Sequence, residues 1–225
     1  MGRAIAIIGA IALVAIVVVG VWLYLSLDYI VKRAIEHYGS EIIGASVELD
    51  KARLSPADGT GSLTGLRIGN PKGFRTPQSA TVGDIQIAVA PGTIVKDVVL
   101  VHRIVVASPS ITYEPGNKGS NFDVIQRNVE RYLGSAGAGA RPGKKLIVET
   151  LTIRGARVAY APQVGHGSAA ISFSLPDIQL RNVGKDRGGV TAGELAKTIV
   201  DALVVRMAEA MGRAAIQRGL GVLGR

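Results

Sequence analysis

The sequence predicts an α+β fold. An N-terminal transmembrane helix is followed by a β-rich domain, a curved antiparallel sheet of repeated hairpins, with one short helix and a C-terminal amphipathic helix. Three observations predict it. Ala4 to Leu27 is a run of 24 residues without a charge. From Ser46 onward, apolar residues recur at every second position. The segments that begin at Val99 and Leu146 align without a gap at an offset of 47 residues.

A bilayer core of about 30 Å takes about 20 helical residues, so the first run is long enough to span it. It exceeds the roughly 7–15 apolar residues of a signal peptide, and no small-x-small cleavage pattern follows, so an uncleaved anchor is expected. Trp22, Tyr24 and Tyr29 fit an aromatic belt at one interface, with Lys32 and Arg33 just beyond it. Anchor and juxtamembrane helix together take residues 1–38. Ala6 and Ala10 place small residues one turn apart, a spacing that lets helices approach closely. Arg3 on one side and Lys32 and Arg33 on the other barely set an orientation; an exported domain behind a cytoplasmic N-terminus fits.

Residues 45–133 form the first β-rich region. Val47 and Leu49 alternate with polar neighbours, and Ala52 and Leu54 continue in the opposite phase, which predicts a bulge near Asp50-Lys51. Leu63, Leu66 and Ile68 make a second strand, Val82 to Val89 a third, Asp97 to Val106 a fourth, and Ile111 to Tyr113 a fifth. At 121–133, Phe122, Ile125, Val129, Tyr132 and Leu133 share one helical face, capped by Ser120 or Asn121. Residues 134–145 read as a glycine-rich, basic linker. Strands return in a second β region, 146–190. Residues 191–225 form the C-terminal helix: Thr191 and Glu194 make a capping box, and Ile199, Leu203, Met207 and Met211 recur along one face.

In the 47-residue repeat, Val101 meets Val148, Ile104 meets Leu151, Val106 meets Ile153, Tyr113 meets Tyr160 and Pro115 meets Pro162. Each copy reads strand, short turn, strand, proline stop, and so predicts a pair of adjacent antiparallel strands. A lone hairpin is marginal in water, so copies side by side share one buried face. The two helices are its candidate cover, and incomplete cover leaves a hydrophobic groove.

Composition removes whole classes of chemistry. There is no cysteine, hence no disulfide framework, iron–sulfur cluster or cysteine zinc site. His37, His102 and His166 are scattered, and Asp50, Asp84 and Asp97 sit singly among strands. Neither Gly-x-Ser-x-Gly nor His-Glu-x-x-His occurs. Gly143-Lys144-Lys145 imitates the end of a phosphate loop, but Ala138 stands where its first glycine belongs. No cofactor and no enzymatic activity are expected. The formal net charge of +9 suits attraction to anionic lipid headgroups. Without clustered basic and aromatic residues, nucleic acid is not an expected partner.

Several motifs resemble a known family. Val47-Glu-Leu-Asp-Lys-Ala-Arg-Leu-Ser55, Gly61-Ser-Leu-Thr-Gly-Leu-Arg-Ile-Gly-Asn-Pro-Lys-Gly-Phe74, Ile111-Thr-Tyr-Glu114 and Gly119-Ser-Asn-Phe-Asp-Val-Ile125, behind the apolar run, look like the N-terminal part of bacterial AsmA-like proteins over roughly residues 1–160. The resemblance implies a single-pass inner-membrane protein whose main domain is periplasmic and binds, or helps to transport, lipid. This chain carries only about two of the repeats that fill larger members, so a bridge between membranes is not implied. The residues expected to contact acyl chains are the apolar ones of the inner sheet face: Val101, Ile104, Val106, Val148, Leu151, Ile153, Ile171 and Phe173. The same residues equally suit a plain domain core. An alternative of another class is a non-catalytic accessory or scaffold subunit that packs against other membrane-protein subunits.

Overall fold

The computed structural model describes residues 26–117, 119–136, 143–162 and 171–223, with side chains of the last helix described as far as Arg213. Helix α1 covers 26–43. Strands β1 (Val47–Ser55), β2 (Thr60–Gly69) and β3 (Gln78–Val89) follow, then β4 (Val98–Ala107) and β5 (Ser110–Tyr113). A two-residue ribbon, β6 (Pro115–Gly116) and β7 (Gly119–Ser120), leads into helix α2 (Asn121–Ala136). Then come β8 (Lys145–Arg154), β9 (Arg157–Tyr160), β10 (Ile171–Ser174), β11 (Ile178–Val183) and helix α3 (Ala192–Leu223). Nine strands, all but β6 and β7, join in one sheet that curls into a half-barrel.

Strand β3 runs the height of the sheet. On one side it pairs with β2; on the other, Asp84–Val89 pair with β4 while Ala80 and Thr81 pair with β5. So β4 and β5 are two halves of one strand, broken at Ser108-Pro109. Strands β8 and β9 are likewise one strand broken at Gly155-Ala156, and β10 and β11 one strand broken around Pro176. The breaks lie side by side. Ser108 N donates to Arg154 O at 2.8 Å, Arg157 N to Pro109 O at 2.9 Å, and Leu175 N to Ala156 O at 2.9 Å. Gly155 N donates to Asp177 Oδ1 at 3.1 Å. All three strands therefore bend along one line.

The 47-residue offset is the pairing register itself. Strand β4 lies parallel to β8 from Val98↔Lys145 to Ala107↔Arg154, and β5 parallel to β9 from Ser110↔Arg157 to Tyr113↔Tyr160. Even the kinks correspond: Ser108 has φ 48° and Gly155 has φ 64°. The Tyr113 and Tyr160 rings stack with centroids 6.0 Å apart.

Two expectations are corrected here. The repeat is not two antiparallel hairpins: each copy is a single bent strand, and the copies pair in parallel. A turn of Ser108-Pro109 type looks the same in sequence whether the chain reverses or only bends. The expected transmembrane helix is also unsupported, since no helix among the described residues is long and apolar enough to cross a membrane. All of Ala4–Leu27 but its last two residues lies outside the described residues, as do Trp22 and Tyr24. The described chain from Asp28 is amphipathic and belongs to the domain. Residues 45–133 and 146–190, expected as successive β regions, contribute to the same sheet, and α2 extends three residues past the expected 133.

Helix α1 covers the outer edge of β1. Its polar stripe repeats every four residues, one helical face. The Asp28 carboxylate accepts Leu54 N at 2.9 Å, and Glu36 accepts Leu49 N at 3.1 Å. Lys32 Nζ bridges Leu49 O and Glu36. Ser40 Oγ accepts Val47 N at 2.9 Å. Four side chains thus satisfy backbone groups that an open edge would present for unwanted pairing. Beside this stripe, Ile35 and Ile42 turn into the apolar interior. Tyr29, expected in an aromatic belt, is exposed at the start of α1, with the Arg33 guanidinium 5.4 Å from its ring centre.

Sequence-predicted local features are present at the other helices. Ser120 caps α2, its N–H held by Asp123 Oδ2 at 2.6 Å. Thr191 and Glu194 form the capping box of α3, with Thr191 N to Glu194 Oε2 at 2.7 Å and Glu194 N to Thr191 Oγ1 at 3.2 Å. The phase change at Asp50-Lys51 comes without the expected bulge: β1 and β2 keep one register from Val47↔Ile68 to Ser55↔Thr60, and opposite Asp50 stands Gly65, whose φ of 69° and contact with the Asp50 carboxylate leave no room for a Cβ.

Two predictions follow from the kink line and the capped edge. Gly155→Ala lowers unfolding free energy by about 1–2 kcal/mol, the cost of left-handed backbone at a non-glycine residue, whereas Ser108→Gly does not lower it; urea titration reads both. Glu36 has its pKa lowered, first by the hydrogen bond from Lys32 and then by Leu49 N–H, and Glu194 likewise, first by Thr191 N–H. Groups with depressed folded values stabilise the fold above their unfolded pKa and cease to do so as pH falls through the folded value. Glu36→Gln therefore costs about 1 kcal/mol at neutral pH and flattens the loss of stability below the ordinary carboxylate range, as denaturation followed across pH 2–7 measures.

Candidate functional site

Curvature and cover together leave a space. Helix α1 lies over β1–β3, and α3 lies over β4, β8 and β9 through Met207 and Ala210, which are buried with Val148 and Val158. Helix α2 closes one end, with Ile125 and Val129 packed against Ile42 of α1 and Val200 of α3. Gln126 Nε2 donates to Asp201 Oδ1 at 2.7 Å, and Lys197 Nζ lies 3.4 Å from Glu130, which ties α2 to α3 on their outer side.

Between helices and sheet lies a partly open apolar cavity of about 410 Å³. Its floor is the concave face of β2–β5 and β8: Leu63 and Leu66, Val82, Ile85 and Ile87, Ile104 and Val106, Ile111, and Leu151 and Ile153. Its walls are Ile35 and Ile43 of α1, Phe122 and Ile125 of α2, and Ile199 and Leu203 of α3. Ser79 is the one polar side chain among the described lining residues, and its Oγ already donates to Gly69 O at 3.0 Å. The volume lies within the roughly 300–1,000 Å³ usual for small-molecule sites. A cavity so lined stays dry and takes apolar ligands.

The eight residues expected on the inner face divide. Ile104, Val106, Leu151 and Ile153 line the cavity. Val101 and Val148 are core, with Val148 fully inaccessible. Phe173 packs at the core margin beside β9. The Ile171 side chain lies outside the described residues. Sequence reasoning missed the lining from β2, β3 and all three helices. For Ile35 and Ile43 the signal was present, since each falls two turns after a member of the polar stripe, Ile35 seven residues after Asp28 and Ile43 seven after Glu36, and so on the sheet-facing side of α1.

A second cluster is polar and buried. Glu114 is 1% exposed. Its carboxylate accepts Arg75 N at 2.7 Å, Thr76 N at 2.9 Å and Thr76 Oγ1 at 2.6 Å. Asn121 Oδ1 accepts Glu114 N at 3.0 Å, and Asn121 Nδ2 donates to Asn70 Oδ1 at 2.8 Å and Thr112 O at 2.7 Å. Three motif segments, the Gly69–Phe74 turn, Ile111–Glu114 and Ser120–Ile125, therefore meet in one network that fastens the β2–β3 loop to the start of α2. With its acceptors filled by backbone and hydroxyl donors, Glu114 holds structure rather than offering a free base.

His102 projects outward from β4, with Nδ1 2.9 Å from Glu149 Oε2 on β8, the equivalent position of the second repeat. His37 Nε2 lies 3.5 Å from Glu41 on the outside of α1. His166 and the Ala138–Arg141 stretch lie outside the described residues. Among the described residues no cluster of three or more His, Cys, Asp or Glu side chains is placed to hold a metal. No family model and no curated protein matches this chain.

Proposed function

We propose that this domain binds the acyl chain of a lipid in the cavity between its curved sheet and its helices, and works at the bacterial cell envelope as a carrier or sensor rather than as a catalyst. The observation that carries this reading is the cavity's lining, apolar on every side with a single, already hydrogen-bonded serine. A ligand whose polar group had to enter would meet no donor or acceptor and would lose its hydration uncompensated. A chain of methylenes loses nothing. A methylene needs about the same room as a water, roughly 30 Å³, so 410 Å³ admits on the order of ten. At about 0.8 kcal/mol per buried methylene, that is about 8 kcal/mol before ordering costs, enough for binding without any polar anchor. The resemblance of the motif segments to AsmA-like proteins supports the same reading.

Ile104→Trp and Leu203→Trp fill the cavity from floor and wall, and each weakens binding of a fluorescent polyene fatty acid by at least about tenfold, 1.4 kcal/mol. Val148→Ala, in the sealed core, lowers stability by about 1 kcal/mol and leaves that affinity within about twofold. Fluorescence titration on the purified chain reads all three. No saturable binding by the wild type, or equal binding by the tryptophan variants, overturns the proposal.

A further inference from the structure

The outer face of the sheet carries a second recess, of about 420 Å³, at the end of the sheet where β1 turns into β2. Register explains it. Two adjacent cross-strand rows share this face: Arg53, Ser62 and Gln86 in one, Ser55, Thr60, Ala88 and Arg103 in the other. Serine, threonine and alanine on three neighbouring strands make a low floor, and Gly61 between the rows adds no side chain. Arg53 stands at one rim and Arg103 at the other.

The chemistry of the lining is one-sided. Two guanidinium groups, three hydroxyls and one carboxamide face the recess, and no carboxylate lines it. Among the described residues neither the Arg53 nor the Arg103 guanidinium has a hydrogen-bond or ion-pair partner, although those of other arginines do, such as Arg67 with Glu48 and Asp50. The nearest acids along the chain are Asp84 of β3, two residues from Gln86 and opposite Thr64 in the next cross-strand row, outside the lining, and Asp58 in the β1–β2 turn, whose carboxylate accepts the hydroxyl of Ser55 at 2.5 Å. A donor-rich, acceptor-poor recess with two guanidinium forks suits a tetrahedral oxyanion, since guanidinium binds phosphate oxygens in pairs.

We infer that this recess binds a phosphate group, with Arg53 and Arg103 gripping it from opposite rims and Ser62 and Gln86 donating from the floor. The site is separate from the acyl cavity, whose floor is the opposite face of the sheet, so either can fail while the other stands. Phosphate can arrive free or as the headgroup of a lipid, and one experiment separates the two. The full-length chain, purified in a non-ionic detergent, is titrated calorimetrically with inorganic phosphate and with glycerol 3-phosphate, the headgroup of phosphatidic acid without its acyl chains. Saturable binding by the wild type is expected. Arg53→Gln and Arg103→Gln each weaken it by at least about tenfold. Arg157→Gln, at an exposed arginine of β9, changes it by less than about twofold. Tighter binding of glycerol 3-phosphate assigns the recess to a lipid headgroup, and equal binding assigns it to free phosphate. No saturation by either probe overturns the inference. Equal loss in all three variants does so too, because it shows diffuse positive charge rather than a site. Far-UV circular dichroism and the urea midpoint of the same variants stay at the wild-type values and report that they are folded.

Discussion

The parallel pairing of β4–β5 with β8–β9 is the constraint on which the remaining architecture depends. Antiparallel strands can be joined by two residues, but parallel neighbours need a connection that crosses a face of the sheet, usually a helix. Here that connection contains α2. Once α2 lies over one face, that face is the buried one, and α1 and α3 complete its cover. The polar outer rows, such as Arg53, Ser62 and Gln86, follow by alternation. The equal 47-residue spacing of the two copies brings Ser108 beside Gly155 and so aligns their kinks. Independent bends at different heights would have broken the ladder between them; aligned bends keep it and curve the sheet as a unit.

Local features were legible in the sequence to the extent that they are local. The Thr191–Glu194 capping box, the Ser120 cap, the phase change at Asp50-Lys51 and the strand positions each depend on a few adjacent residues, and each is present in the structure; the bulge expected from that phase change is absent, because the β1–β2 register runs through it unshifted. Pairing was not legible, because it depends on the hand and direction of connections. The alignment of Val99–Pro115 with Leu146–Pro162 correctly identified equivalent positions. It could not say whether Ser108-Pro109 reverses the strand or bends it. The left-handed φ at Ser108, unusual for a residue with a side chain, is the feature that permits a bend, and composition does not announce it.

The site was half legible for the same reason. Alternation along β4 and β8 selected inward-facing residues, and Ile104, Val106, Leu151 and Ile153 do face the cavity. Alternation could not distinguish them from Val101 and Val148, which face inward too but lie under α3. The difference is made by where a helix happens to rest, and this is a tertiary fact. The helix-borne lining was hidden differently. Asp28, Lys32, Glu36 and Ser40 follow directly on an uncharged run, so they read as the polar end of an anchor. Their four-residue spacing instead matches the unpaired backbone edge of β1.

Why a cavity forms, rather than a continuous core, follows from the mismatch between curved and straight elements. A helix is close to a rigid cylinder, and three of them cannot track a half-barrel along its whole height. Helix α3 touches the sheet where Met207 and Ala210 sit, and α1 touches it at the β1 edge, where the polar stripe fixes its distance. Between those two lines of contact the floor falls away. Larger side chains could fill the gap, but the floor is built of aliphatic residues, and Phe122 is the one aromatic ring among the described lining residues. Closing the space by moving α1 inward would pull Asp28, Lys32 and Glu36 off the backbone groups of Leu54 and Leu49 and uncover the edge of the sheet. The cavity therefore persists because the hydrogen bonds that protect β1 also hold α1 away from the floor, and the apolar surface left under it is the surface that an acyl chain can cover.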